Sequence, residues 1–185
     1  MLIATLVSNY NELEQIHELN KKNLKQNLSE QEQKEQGFVT WLYSLQLLQQ
    51  LHRQAPAVIV KDGNKVVGYA LCALKESRVF HPDLDSFFNH LDPFVYLEKP
   101  FAQHNFYCMG QICIDEQYRG KGVFQMLYQK HKEVYSSLFD FLLTEISTSN
   151  FRSLNAHKKI GFVRVFTYKD SADEWDVVVW QWKNV

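Results

Sequence analysis

The sequence lacks an excess of charge of either sign, has no long apolar run and holds little cysteine. Its 185 residues carry 20 Lys and Arg against 21 Asp and Glu, a formal net charge of −1. A general nucleic-acid binder needs a basic stripe to neutralise phosphates. Lys21, Lys22 and Lys25 cluster, but their acidic and amide neighbours make them a solvated helix face, so no nucleic-acid partner is expected. The apolar stretches fall short of the roughly 18 residues that span a bilayer. Met1 is not followed by a positive region and an apolar run, so neither a membrane segment nor a signal peptide is expected. Cys72, Cys108 and Cys113 show no CxxC spacing and sit in apolar runs. Buried free thiols in a reducing, cytoplasmic compartment follow. His81 and His90 have no Cys or further His at zinc-site spacing, so no metal is expected. With no internal repeat and no linker, the length suits a single domain over 1–185.

What is present is the material of a core: 45 % hydrophobic residues, 14 % aromatic and 22 % charged. Leu2 to Val7 reads as a first strand, followed by a helix capped near Ser8 with Leu13, Ile16 and Leu19 at helical spacing. Residues 20–36 are polar and read either as more helix or as a mobile surface segment. Phe38, Trp41, Leu42, Leu45, Leu48 and Leu51 recur at three or four residues, which predicts a helix ended by Pro56. Ala57 to Val60 and Val66 to Leu74 are strands joined at Asp62-Gly63, a hairpin signal. The stretch 76–105, with many rings and three prolines, is too long for a turn and reads as an insertion holding a short helix near Asp83 to Leu91. Phe106 to Ile114 is a strand, Val123 to Tyr135 a helix and Leu138 to Ile146 a buried strand, together a right-handed βαβ unit with parallel strands. Asn150 to Lys159 is a helix closed by Gly161. Phe162 to Tyr168 and Trp175 to Trp182 are the last strands. The fold class is therefore α/β (α+β): a mixed sheet of about seven strands flanked by helices, with the insertion between the third and fourth strands.

One loop carries chemistry. In Ile112-Cys113-Ile114-Asp115-Glu116-Gln117-Tyr118-Arg119-Gly120-Lys121-Gly122-Val123, a strand ends, two glycines follow and a helix begins. Amides at a helix start lack internal partners and have the positive dipole end behind them, which suits a phosphate. Gly120 and Gly122 let backbone approach an anion closely, and Arg119 and Lys121 add positive charge. The spacing is neither the dinucleotide fingerprint nor a P-loop. Alone it also fits an ordinary glycine-rich turn.

Gln117-x-x-Gly120-x-Gly122 between strand and helix resembles the acetyl-CoA signature of the GNAT superfamily of N-acetyltransferases. Asn150 through Gly161-Phe162 is similar to that family's closing helix, and Val66-Val67-Gly68-Tyr69 to its third strand. The resemblance implies acetyl-CoA as co-substrate and a primary amine, on a small molecule or peptide, as acceptor. It implies that backbone of Ile112, Cys113 and Ile114 meets the pantetheine arm, that amides from Gln117 to Val123, with Phe124, hold the pyrophosphate, and that Asn150 reaches the pantetheine side. Many members carry a Tyr acid where this chain has His157. His157 is then either the acid for the leaving thiolate or a helix-surface histidine. An acceptor amine needs a base, and Glu145 on an apolar strand is the candidate; its other reading is an exposed strand end. The rings and acids of the insertion either shape an amine pocket or form a satellite core. The competing functional reading is a non-catalytic acyl-CoA-binding sensor. A homodimer through the Trp-rich last strand (Trp175, Trp180, Trp182) is compatible with both.

Overall fold

A computed structural model describes residues 1–183. The chain runs β1 (Leu2–Leu6), α1 (Tyr10–Lys22), α2 (Glu30–Gln36), α3 (Leu45–Gln54), β2 (Val58–Asp62), β3 (Lys65–Ala73) and α4 (Pro82–Leu91). A two-residue pair, β4 (Val95–Tyr96) and β5 (Lys99–Pro100), follows. Then come β6 (Phe106–Ile114), α5 (Val123–Tyr135), β7 (Phe141–Ser147), α6 (Phe151–Ile160), β8 (Val163–Lys169) and β9 (Glu174–Gln181). One seven-stranded sheet has the order β1-β2-β3-β6-β7-β9-β8. Only β6 and β7 run parallel; every other pair in it is antiparallel. The mixed sheet with an insertion between its third and fourth strands matches the expectation.

Side-chain alternation along each strand assigns the two faces. Ile59, Tyr69, Leu71, Phe106, Phe141, Leu143, Val177 and Val179 pack with Leu13 and Ile16 of α1, Leu48 and Leu51 of α3, and Leu84, Phe88 and Leu91 of α4. Val58, Val60, Val67, Ala70, Tyr107, Leu142 and Val178 pack with Val123, Leu127 and Tyr128 of α5. Each such fully buried apolar side chain contributes about 1.5–3 kcal/mol. Parity puts Glu145 on the same face as Phe141 and Leu143, beside α4. The three thiols are free and buried, and burial pushes Cys113 up to about 12.

Several local expectations change. The α1 cap is Asn9, whose Oδ1 accepts from Glu12 N at 3.1 Å, while Ser8 N donates back to Glu12 Oε2 at 2.7 Å. Residues 20–36 hold the end of α1, a short 3₁₀ turn and α2, whose start is a Ser29–Glu32 capping box. The helix expected from Phe38 begins only at Leu45, because Ser44 caps it by accepting from Leu47 N at 3.2 Å. Residues 37–44 are instead an extended strap. Its backbone partners come from α1 and the turn after it: Asn20 Nδ2 donates to Trp41 O at 3.0 Å, Tyr43 N to Asn20 Oδ1 at 2.9 Å, and Val39 N to Asn23 O at 3.1 Å. β7 starts at Phe141, leaving Leu138 exposed. β9 is bounded by β7 and β8, so its edges are taken and the last strand cannot pair with a second copy. Trp180 packs on Tyr128 and Phe162, and Trp182 on Tyr107.

Candidate active site

The site is a gap in the sheet. β6 and β7 pair only from Phe106↔Phe141 to Cys108↔Leu143. Thr144 Oγ1, donating to Met109 O at 2.9 Å, is the last tie between them. The cause lies in β6, where Ala70 faces Ile112 but Cys72 faces Met109. Three residue steps of β6 thus stand against two of β3. This bulge at Gly110 and Gln111 bends β6 away from β7. Gly110 is required there, since a Cβ would lie 2.9 Å from Tyr43 Oη, which donates to Gly110 O at 3.2 Å. The strap crosses the gap, held by Gln111 Nε2 on Trp41 O at 2.8 Å and Asn150 Nδ2 on Phe38 O at 3.2 Å. Phe38, Val39, Ile112 and Ser153 border cavities on both sides of it, one of about 870 Å³ towards α5 and one of about 530 Å³ towards α4.

The α5 side offers backbone donors. Asp115 N bonds Val67 O at 2.9 Å on the β3 side. Strand alternation then turns Cys113 to β3, and Ile112 and Ile114 to the gap. Cys113 therefore does not share the role expected for its neighbours. Four of the expected loop amides are consumed by the turn itself: Gln117 N on Asp115 Oδ1, Tyr118 N on Asp115 O, Arg119 N on Glu116 O and Lys121 N on Tyr118 O. Among the described residues, the amides of Gly120, Gly122, Val123, Phe124 and Gln125 have no protein acceptor, and α5 has no side-chain cap. The donor set is thus shifted one residue past the expected stretch. Gly120 and Gly122 have φ of +75° and +80°, and nothing lies within 4 Å of a Cβ built on either. Left-handed backbone favours glycine here, and the space above is open. Lys121 stays exposed beside this nest.

Arg119 borders the α5-side cavity, but its N–H donors are engaged by the protein. Its guanidinium is turned inward, donating to Ile114 O at 3.1 Å, Gln36 Oε1 at 2.8 Å and Asn23 Oδ1 at 2.6 Å. Tyr118 Oη donates to Asp62 Oδ2 at 3.1 Å. Both residues clamp the loop to its neighbours, and Gln117 is exposed.

The α4 side is built from side chains. Glu145 accepts a short hydrogen bond from Tyr168 Oη. Burial pushes its carboxyl up to about 7, against the Tyr168 bond, which lowers it. The carboxyl is thus neither an exposed strand end nor fully ionised at neutral pH. Trp41, Tyr43, Phe87, His90, Asp83 and Asp170 share this cavity. The insertion divides its residues: Leu84, Phe88 and Leu91 enter the main core rather than a satellite one, while Asp83, Ser86, Phe87 and His90 line the cavity.

His157 is not a surface residue; it is 1 % exposed. Its Nδ1–H donates to Ser153 O at 2.8 Å, so Nε2 accepts from Tyr128 Oη at 2.6 Å. Burial drives its pKa down to about 4. A neutral ring with its one N–H committed has no proton for a thiolate, so the arrangement corrects the acid reading. Asn150 borders the α4-side cavity, but its amide is engaged: Oδ1 caps α6 by accepting from Ser153 N at 3.2 Å, and Nδ2 holds the strap. Tyr168, Tyr43, Asn20 and Gln125 were missed in the sequence. Nothing local marks the first three, since they act across 23, 67 and 21–23 positions of chain.

Residues 13–162 match a family model described as "Acetyltransferase (GNAT) family". No curated protein matches the sequence. Among solved structures, an acetyltransferase of the GNAT family from Streptococcus agalactiae is 17 % identical with a TM-score of 0.67, covering 100 % of this chain and 96 % of that one. Ard1 from Thermoplasma volcanium is 15 % identical with a TM-score of 0.67, covering 99 % of both. YncA of Salmonella typhimurium, solved with its cofactor acetyl-CoA, is 11 % identical with a TM-score of 0.64, covering 100 % of this chain and 95 % of that one.

Proposed function

The chain belongs to the GNAT acetyltransferase family, and from that premise we propose that it moves the acetyl group of acetyl-CoA to a primary amine by direct attack in a ternary complex. One observation carries this reading: unpartnered amides at the start of α5 open on one side of the β6–β7 gap, and a buried, partly protonated carboxyl stands on the other.

The nest fits a diphosphate. Amides of Gly120, Gly122, Val123, Phe124 and Gln125 would hold it, with the α5 dipole and Lys121 adding positive potential. Ile112 presents backbone to the pantetheine arm along the open edge of β6, where the Ile114 carbonyl is already held by Arg119. Bound acetyl-CoA supplies a thioester, an acyl carbon already activated towards amines. The chain's own task is positioning and proton removal. An alkyl ammonium has a pKa near 10.4, and the nitrogen attacks only after losing a proton. Glu145 takes that proton; Tyr168 holds the carboxylate form and orients it. The N–H of Ile112 faces the gap where the carbonyl oxygen gains charge. The C–N bond forms and the C–S bond breaks, giving an amide, a CoA thiol and, from an ammonium acceptor, one net proton. A thiol pKa near 8.5 lets the thiolate leave with little acid help, so a committed His157 costs the reaction little. His157 instead positions α6 against α5 through Tyr128.

Amine-dependent release of CoA from acetyl-CoA, measured for the full chain and Glu145→Gln, tests the proposal. Release that needs an amine and drops in the variant supports it. Acetyl-CoA that binds but is never turned over, whatever the amine, contradicts it.

A further inference from the structure

The acceptor cavity says more about its ligand than that it is an amine. Its lining includes three carboxylates, Asp83, Glu145 and Asp170, and, among the described residues, no Lys or Arg. The chain as a whole is nearly balanced, with 20 basic residues against 21 acidic ones. The imbalance is therefore local. The carboxylates are also placed differently. Glu145 lies deep, at the sheet gap, held by Tyr168. Asp83, on the first turn of α4, has a side chain 68 % exposed, and Asp170, in the β8–β9 turn, is exposed as well. These two stand at the rim. Asp170 uses Oδ1 to accept from Ala172 N at 2.8 Å and Asp173 N at 2.9 Å, which fixes the carboxylate on the β8–β9 turn.

Two ring contacts flank the cavity. The rings of Trp41 and His81 lie 5.0 Å apart and latch the strap to the start of α4. The rings of His90 and Tyr168 lie 4.1 Å apart and latch the end of α4 to β8. A further stack, Phe94 on Phe166 at 4.0 Å, fixes the insertion to the same strand. The cavity volume of about 530 Å³ falls within the 300–1,000 Å³ usual for small-molecule sites. Between the deep and rim carboxylates the walls are Trp41, Phe87 and Tyr43, suited to an alkyl chain and to a cation over a ring.

Resting on the acetyl-transfer reading, we propose that the acceptor is a small aliphatic diamine or polyamine: one amine reaches Glu145 and is acetylated, while a second ammonium is held at the rim by Asp83 and Asp170. The insertion is then the specificity element of the enzyme.

Steady-state kinetics at saturating acetyl-CoA test this with 1,4-diaminobutane, n-butylamine and a tetrapeptide with a free N-terminus. The diamine should exceed n-butylamine by about ten-fold or more in kcat/KM, chiefly through KM, as expected for a second charge held at a partly exposed site. In the double variant Asp83→Asn, Asp170→Asn that ratio should collapse towards one. Asn keeps the Oδ1 acceptor that the β8–β9 turn uses, so the turn survives the change. Equal rates for diamine and monoamine, or preference for the peptide, would overturn the diamine assignment while leaving acetyl transfer intact. If no amine is acetylated, the transfer reading fails by itself and calorimetry decides the other claim. Heat from 1,4-diaminobutane added to the CoA-loaded protein, lost in the double variant, supports the rim site; no heat with the unmodified protein overturns it.

Discussion

The two sides of the β6–β7 gap are built from different material. Towards α5 the ligand-facing groups are backbone amides, fixed by one short stretch in which a strand ends, two glycines take positive φ and a helix begins. Towards α4 they are side chains from the strap, α4, β7, β8 and the β8–β9 turn. A backbone nest needs mainly local sequence to form, and in the proposed reaction it would bind the part of the co-substrate that never changes. A side-chain pocket needs the whole fold to assemble it, and in the proposed reaction it would face the acceptor. The first side sets what chemistry is possible and the second sets on what.

Substitutions separate the two sides. The largest effect is expected for Gly122→Asp. A side chain at φ +80° costs about 1–2 kcal/mol, and a carboxylate about 4 Å from a phosphate adds several more at an effective dielectric near 20. Acetyl-CoA affinity should fall roughly 1000-fold or more, read by calorimetry. An affinity within a few-fold of the unmodified chain would mean that the diphosphate lies elsewhere. Next is Glu145→Gln, on the opposite side. Loss of the base should lower kcat by roughly 100-fold while leaving acetyl-CoA affinity unchanged, because Glu145 lines only the α4-side cavity. A matching loss of affinity would break the division drawn between them.

The pH profile sharpens the comparison on the acceptor side. Glu145 must be ionised to accept a proton, and burial holds it at about 7. Activity should therefore rise with pH through about 7. The Tyr168 bond lowers that value, so Tyr168→Phe should move the rising limb to higher pH. An unmoved limb would remove Glu145 as the titrating base. The linkage for folding runs the same way: the native state holds this proton more tightly than the unfolded chain does. The carboxyl's contribution to stability is present below its ordinary value of 4.5 and is lost as pH rises through about 7.

The smallest effect is expected for Asn150→Ala. Losing a helix cap costs about 1 kcal/mol and frees the strap at Phe38. A modest fall in Tm with a few-fold rise in KM for both substrates is the outcome, because the strap borders both cavities. No change in either KM would detach the strap from function.

The legibility of each region follows from the same contrast. The sheet, its alternating faces and the nest were readable because β periodicity, the Asp62-Gly63 hairpin and the strand–glycine–helix junction are local. The strap was misread because Phe38, Trp41, Leu42 and Leu45 happen to recur at helical spacing. What overrides that pattern is Ser44, which starts the helix late, and Asn20, which supplies backbone partners from a distant helix. His157 was misplaced because helical position says nothing of Tyr128, whose hydroxyl meets it across 29 positions of chain. Arg119 keeps its charge, but its N–H donors are committed to Asn23 and Gln36, partners far away in the chain. Glu145 stood out as a lone acid on an apolar strand, yet Tyr168 beside it did not.

The central claim concerns which amides meet the diphosphate, and ¹H–¹⁵N correlation spectra recorded while adding CoA read them one by one. The amides of Gly120, Gly122, Val123, Phe124 and Gln125 should show the largest shifts. Those of Gln117, Tyr118, Arg119 and Lys121, already bonded within the turn, should move little. Large shifts confined to the second set, or centred away from the start of α5, would contradict the account.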